Sequence, residues 1–319
     1  MSTPKKAARP PRPVVARTAA QKRLAAQRAM ASVSRARAEK RRRLLRVLVP
    51  VVGVVAVVGL LVVVKVATGA GRPKSGVGAS LASAQVVRGV SNVAPAVFDQ
   101  IGKGTSSTPP SAVTASPLTV GGKPQILYVG AEYCPFCAVE RWPMAVALSR
   151  FGTFTNLGAT SSSSTDVYPS TASLSFHGAT YASKYISFTG KEIESNQIVG
   201  NQYAPLDTLT ADEQRLFNKY DFPPYATAQG KGAIPFADLG GKYLIHGAGY
   251  DPQLLQGKSA EEVASALADP TSKIAQAVNG SANVITAAIC TLTKDAPANV
   301  CSSAGVTVAG TALKAASSS

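Results

Sequence analysis

The chain has 319 residues, with 33 Lys and Arg against 17 Asp and Glu and a formal net charge of +16. The excess sits in one tail: residues 1–46 hold 15 basic side chains and a single acid, Glu39, while the rest of the chain is nearly balanced, which excludes a uniformly basic nucleic-acid-binding domain. Apolar residues make up 45%, which excludes wholesale disorder, and four cysteines are too few for a disulfide scaffold of this length but enough for two pairs.

Residues 47–64 read VLVPVVGVVAVVGLLVVV, eighteen positions without a charge, flanked by Arg46 and Lys65. That is about the shortest run able to cross a hydrocarbon core of roughly 30 Å as a helix. A cleaved signal peptide fits poorly, because a 46-residue basic preface is far too long and the apolar run exceeds the usual length. The expectation is one transmembrane helix over 47–66. The charge asymmetry across it places the N-terminus in the cytoplasm and everything beyond outside. Arg41-Arg42-Arg43 abut the span and suit anionic lipid headgroups, and the tail has no aromatic residue to stack on bases, so nucleic acid is not an expected partner.

Residues 67–85, rich in Gly, Ser and Ala, read as a flexible tether, and 86–310 as the exported domain, with 311–319 a disordered end. Val90, Val93, Val97, Phe98 and Ile101 recur as on one face of a helix. Residues 125–129, QILYV, read as a buried strand that runs into Ala131-Glu132-Tyr133-Cys134-Pro135-Phe136-Cys137 and a helix reaching about Ser149. Leu174, Phe176 and residues 181–188 show strand alternation about a turn at His177-Gly178-Ala179. Thr210-Ala-Asp-Glu213 and Ser259-Ala-Glu-Glu262 are capping boxes opening helices, and Asp269-Pro270 reads as the start of another. Between the two boxes, Gly240-Gly241 joins a strand after Pro235 to a returning strand, 242–246.

Two thiols separated by two residues at a helix start have a specific chemistry. Cys134 would meet the unpaired N–H groups and dipole of the helix N-terminus, which favour thiolate. Such sites lower a cysteine pKa from about 8.5 to somewhere between ~3.5 and 7.5. Cys137, a turn later and less exposed, would resolve a mixed disulfide, and Pro135 would pre-set the helix entry. A zinc site lacks two further ligands at suitable spacing, haem attachment fails because Ala138 stands where a histidine is needed, and no metal or cofactor is expected. His177 and His246 read as ordinary strand residues. Cys290 and Cys301 read as a structural staple or, alternatively, a second redox relay.

The strand, the AEYCPFC motif and its helix, followed by Ile234-Pro235 before a hairpin, resemble the thioredoxin fold, in which a cis-proline faces the thiol pair. The resemblance implies a three-layer α/β domain, with the 98-residue separation of Cys137 and Pro235 taken up by a helical insertion. The segments 130–152, 166–176, 181–188, 234–255 and 285–301 together resemble the family called domain of unknown function 929. One departure stands out: residues 126–129 lack the buried acid of thioredoxins. Glu132 and Glu140 are the nearby substitutes, each read more readily as a solvated charge. The functional expectation is a thiol–disulfide oxidoreductase acting on exported proteins, with a membrane or secreted redox partner; the other reading is a non-catalytic envelope module with permanent disulfides.

Overall fold

The computed structural model describes residues 78–227 and 230–316. The basic tail, the expected membrane span and the tether up to residue 77 lie outside the described residues. Among the described residues no helix is long and apolar enough to cross a membrane.

The chain enters through strand β1 (Ser80–Leu81) and helix α1 (Ala84–Ser91), capped by Ser83, whose hydroxyl accepts from Val86 N. β1 and the first two residues of α1 fall at the end of the stretch expected to be tether, 67–85. The single helix face expected from Val90 to Ile101 is divided between α1 and α2 (Pro95–Ile101). Pro95 is the cause, since the residue before proline is pushed out of the helical region, and Ala94 sits at φ −63°, ψ 138°.

After β2 (Ser111–Ala112) and β3 (Thr119–Val120), β4 (Lys123–Gly130) forms the centre of a mixed sheet. Antiparallel to β4 lies β12 (Phe236–Leu239), which turns at Gly240-Gly241 into β13 (Tyr243–His246) and then pairs outward with β2. On its other side β4 runs parallel to β9 (Ser187–Glu192), with Gln125 opposite Ser187 and Gly130 opposite Glu192. Side chains alternate along β4. Ile126 and Tyr128 face the larger core, where α3 (Pro135–Ser149) and α6 (Lys273–Leu292) pack; Leu127 and Val129 face a smaller one with Phe236, Leu244 and Tyr220 of α4 (Ala211–Tyr220). The result is a mixed α/β fold with helices on both faces of the sheet.

The connection between α3 and β12 corrects the expected helical insertion. Apart from α4, its regular structure is β5 (Gly152–Thr155), β6 (Gly158–Ser161), β7 (Ala172–Ser175), β8 (Thr180–Ser183), β9, β10 (Glu194–Val199) and β11 (Gln202–Pro205). These strands are short, and several are half-exposed and rich in Ser, Thr and Gly, so they carry little hydrophobic period. Apart from β9, they pair in side sheets, β5 with β8, β6 with β1 on one side and β7 on the other, and β10 with β11, so the turn at Gly178 links strands of different sheets. Phe154 of β5, Tyr181 of β8 and Phe176 just after β7 pack with Phe188 of β9, with ring centroids of Phe176 and Phe188 4.9 Å apart. Gly190 admits this cluster, because a Cβ there would overlap Phe176.

Beyond β13, the Ser259 capping box opens α5 (Ala260–Ala266) as expected. Helix α6 starts three residues later than Asp269-Pro270 suggests. The Asp269 carboxylate accepts from Thr271 N and Oγ1 in a local turn, and Ser272 becomes the cap. A disulfide joins Cys290 at the end of α6 to Cys301 of α7 (Ala298–Cys301), with Cα atoms 5.6 Å apart. Helix α8 (Ala304–Ala316) continues through residues expected to be disordered and buries Leu313.

Candidate functional site

Strand β4 ends at Gly130, and the next four residues deliver Cys134 to the N-cap of α3. The cysteine has extended dihedrals (φ −76°, ψ 123°), and its Sγ accepts a hydrogen bond from Cys137 N at 3.3 Å. Sulfur thus takes the place that a Ser or Asp oxygen takes in ordinary caps. Pro135 fills the first helical position, where no N–H is required. From across the site, the carbonyl of Ile234 lies 3.6 Å from Cys134 Sγ as acceptor for its thiol, and the Ile234–Pro235 bond is cis. Gly247 N donates to Pro235 O at 2.9 Å, which ties the start of β12 to the chain leaving β13. Cys134, Pro135, Cys137, Ile234 and Pro235 are therefore brought together.

Both thiols are free. Cys134 is 6% exposed and Cys137 fully covered. The Cys134 thiol is held below its ordinary pKa chiefly by the hydrogen bond from the Cys137 thiol, with the Cys137 amide and the Arg141 charge acting in the same sense against burial. Cys137 moves the opposite way, well above the ordinary range, because it is buried and lies beside the Cys134 sulfur. One sulfur is prepared as nucleophile and its neighbour as proton holder. Around them stands an aromatic rim. Phe136, 41% exposed, meets the Tyr168 ring edge-on at 5.9 Å, and Tyr133 stacks on Tyr203 at 4.2 Å.

A buried ion pair lies under the thiols. Arg141, one turn beyond Cys137, forks onto Glu192 at the end of β9 through Nε (2.8 Å) and Nη2 (2.6 Å), and donates also to Ser173 Oγ and to Ala131 O. Both side chains are fully buried. Arg141, Glu192 and Tyr128 are the residues that sequence reasoning missed. The available signal was in α3, whose residues 137–148 are all buried: an otherwise apolar helix carrying Glu140-Arg141 at its centre has no solvated face for them.

The two acids named from sequence are placed differently from the expectation of solvated charges. Glu132 is fully buried, its Oε1 accepting from Ala79 N (3.0 Å) and Ser175 Oγ (2.6 Å). Glu140 is 2% exposed and accepts from Gly249 N at 2.9 Å. Burial pushes its carboxyl up to about 8, against the hydrogen bond from Gly249 N. The 247–249 turn links Glu140 to Pro235, Gly249 N donating to the carboxylate and Gly247 N to Pro235 O. His177 pairs with Asp207, its Nδ1 2.9 Å from the carboxylate, and His246 closes β13 with Nε2 2.9 Å from Tyr220 O. Among the described residues no group of three or more His, Cys, Asp and Glu is placed to hold a metal ion.

A mixed α/β domain with a dithiol at a helix N-terminus facing a cis-proline is the class that fold and site define. The chain belongs to the family described as Domain of unknown function (DUF929), whose profile matches residues 110–291. That span runs from β2 into α6 and contains both motif cysteines and Pro235. No curated protein and no solved structure matches the chain.

Proposed function

We propose that this protein is a membrane-anchored, extracytoplasmic thiol–disulfide oxidoreductase with a thioredoxin-like domain. The observation that carries the reading is the opposed pair of thiols, Cys134 lowered and Cys137 raised, at a helix cap against Ile234–Pro235. The strand order β9–β4–β12–β13, with the cysteine helix leaving β4 and a parallel β9, supports the thioredoxin-like assignment. The basic tail and the apolar run at 47–64 support the anchor.

In the reducing direction, Cys134 thiolate attacks one sulfur of a substrate disulfide, forming a mixed disulfide and releasing one substrate thiolate. Cys137 then attacks Cys134 Sγ. The Cys134–Cys137 disulfide forms, the mixed disulfide breaks, and the Cys137 proton ends on the second substrate thiolate. Two electrons pass from the protein to the substrate, and a membrane or secreted dithiol protein must return them. The reverse sequence oxidises a substrate dithiol.

The low exposure of Cys134 favours a second reading, a non-catalytic envelope module. Trapping separates them. Cys137→Ser in the full chain is expected to accumulate Cys134 mixed disulfides with exported proteins on whole cells. Failure to trap any, together with a motif disulfide that withstands mild reductant, overturns the oxidoreductase reading.

A further inference from the structure

The aromatic rim around the thiols is built by two segments that the exchange steps above leave unused. Both are fastened to the cysteine loop itself. Ser163 N donates to Tyr133 O at 2.8 Å and Glu132 N donates to Glu194 O at 2.8 Å, so the 162–171 loop and strand β10 meet the two residues that precede Cys134. The carbonyl of Tyr168 accepts from Ser162 Oγ (2.9 Å) and Thr171 Oγ1 (3.0 Å), which fixes the backbone carrying its ring against Phe136. On the hairpin, Tyr203 stacks on Tyr133, and Ile198 stands opposite Tyr203 in the β10–β11 register and so shares its face. Phe136, Val167 and Ile198 are all exposed. Large apolar side chains left open on well-tied segments beside a reactive group mark an interaction surface.

We propose that this rim selects the substrate: Phe136 and Tyr168 receive an apolar side chain beside the cysteine of an extended, exported polypeptide segment without acidic neighbours. The proposal rests on the oxidoreductase reading. Continuity with the exchange site names the occupant. Cys134 is almost covered while Phe136, two residues on, stands open, so a segment that brings a sulfur to Cys134 lies against the rim. Charge narrows the choice. Residues 133–136, 162–171 and 194–205 contain no lysine or arginine and two acids, Asp166 and Glu194. An acidic peptide or an anionic small disulfide meets repulsion there, and an anionic lipid surface finds no basic partner. Rings already held in place lose little freedom on contact, so burial of a side chain beyond the reacting sulfur is available to favour the attack. The rim adds no chemical step: the Cys134 thiolate bonds to the substrate sulfur, and the other sulfur of that disulfide leaves with the electron pair.

The test uses the full chain, reduced, and short acetylated peptides whose single cysteine is held as a mixed disulfide with thionitrobenzoate. Release of the coloured thionitrobenzoate times the attack by Cys134. A peptide with phenylalanine next to its cysteine is expected to react about 5- to 20-fold faster than one with glycine there, as for partial burial of an aromatic side chain. With phenylalanine kept, glutamate on the other side of the cysteine should react several-fold more slowly than lysine, and high salt should shrink that difference. In Tyr168→Ala the phenylalanine-to-glycine ratio should fall toward one. Equal rates for the two peptides in the natural protein, or a ratio that Tyr168→Ala leaves intact, overturns the proposal. Should Tyr168→Ala fail to fold, Val167→Asp, at the exposed position beside it, takes its place and must lower the same ratio. A chain that self-associates and separates on Tyr168→Ala assigns the rim to a second copy and overturns the proposal as well. Release as fast in Cys134→Ser as in the natural protein overturns the oxidoreductase reading itself, a distinguishable outcome.

Discussion

A cysteine that caps a helix is both a structural and a chemical residue, and the two roles separate by substitution. The leading cause holding Cys134 low is the Cys137 thiol donor, so its alkylation midpoint should depend on what stands at 137. Iodoacetamide rates against pH should give a midpoint below the ordinary ~8.5 in Cys137→Ser, which keeps a hydroxyl, and a higher midpoint in Cys137→Ala, which removes the donor. Glu140 supplies a second residue-scale prediction. Its folded pKa of about 8 lies above the ~4.3 of an unfolded chain, so folding takes up a proton between those values. The neutral acid's contribution is complete below about pH 4 and is lost as pH rises through 8. Glu140→Gln should therefore melt above the natural protein at pH 8.5 and without advantage at pH 4, as thermal unfolding across that range would show.

Helix α3 is held by more than apolar contact. Its Trp142 is fully buried and donates to Ala172 O at 3.0 Å, Tyr250 donates to Val139 O, and the Arg141 fork joins the helix to β9. Removing one partner of a buried ion pair leaves an uncompensated charge, and Arg141→Met should cost on the order of 3–5 kcal/mol. Arg141→Met with Glu192→Leu should recover most of that loss, because the desolvation penalty disappears with both charges. Urea unfolding, followed by fluorescence of the single tryptophan, measures both. At the crossing of α1 with α5, a Cβ on Gly89 would stand 2.7 Å from Ala264 O, so Gly89→Ala should destabilise by about 1–3 kcal/mol, read in the same titration.

At the scale of the whole molecule, the two cysteine pairs are expected to behave differently. Cys290–Cys301 closes a short loop, with a sequence separation of 11, between the end of α6 and α7. In the chain-entropy model a loop of this size contributes near 3 kcal/mol, so replacing both cysteines by alanine should lower stability by about that amount without changing the reactivity of Cys134. Denaturant titration and alkylation of the same variant test the two halves of that statement.

Much of this architecture was readable residue by residue. The β4 alternation, both capping boxes, the Cys134–Cys137 spacing and the Gly240-Gly241 hairpin are local signals, carried by residues near one another in sequence and governed by steric and hydrogen-bonding rules that act at short range. Family membership was legible for the same reason, through contiguous segments. What surrounds the thiols was not. Glu192 comes 51 residues after Arg141 and Ile234 100 residues after Cys134, and nothing in their own neighbourhoods announces those partners. Glu132 and Glu140 read as solvated charges because sequence records a residue's chemistry and not its burial. Strands β5 and β8 were hidden because short, half-exposed, Thr-containing strands need no hydrophobic period when Phe154 and Tyr181 pack them on Phe176 and Phe188. What could be read before folding was therefore the central strand, the helix caps and the spacing of the two thiols, whose physics is local. Only the tertiary structure decided which charges are desolvated beside that pair, since burial and long-range pairing depend on every segment that packs around it.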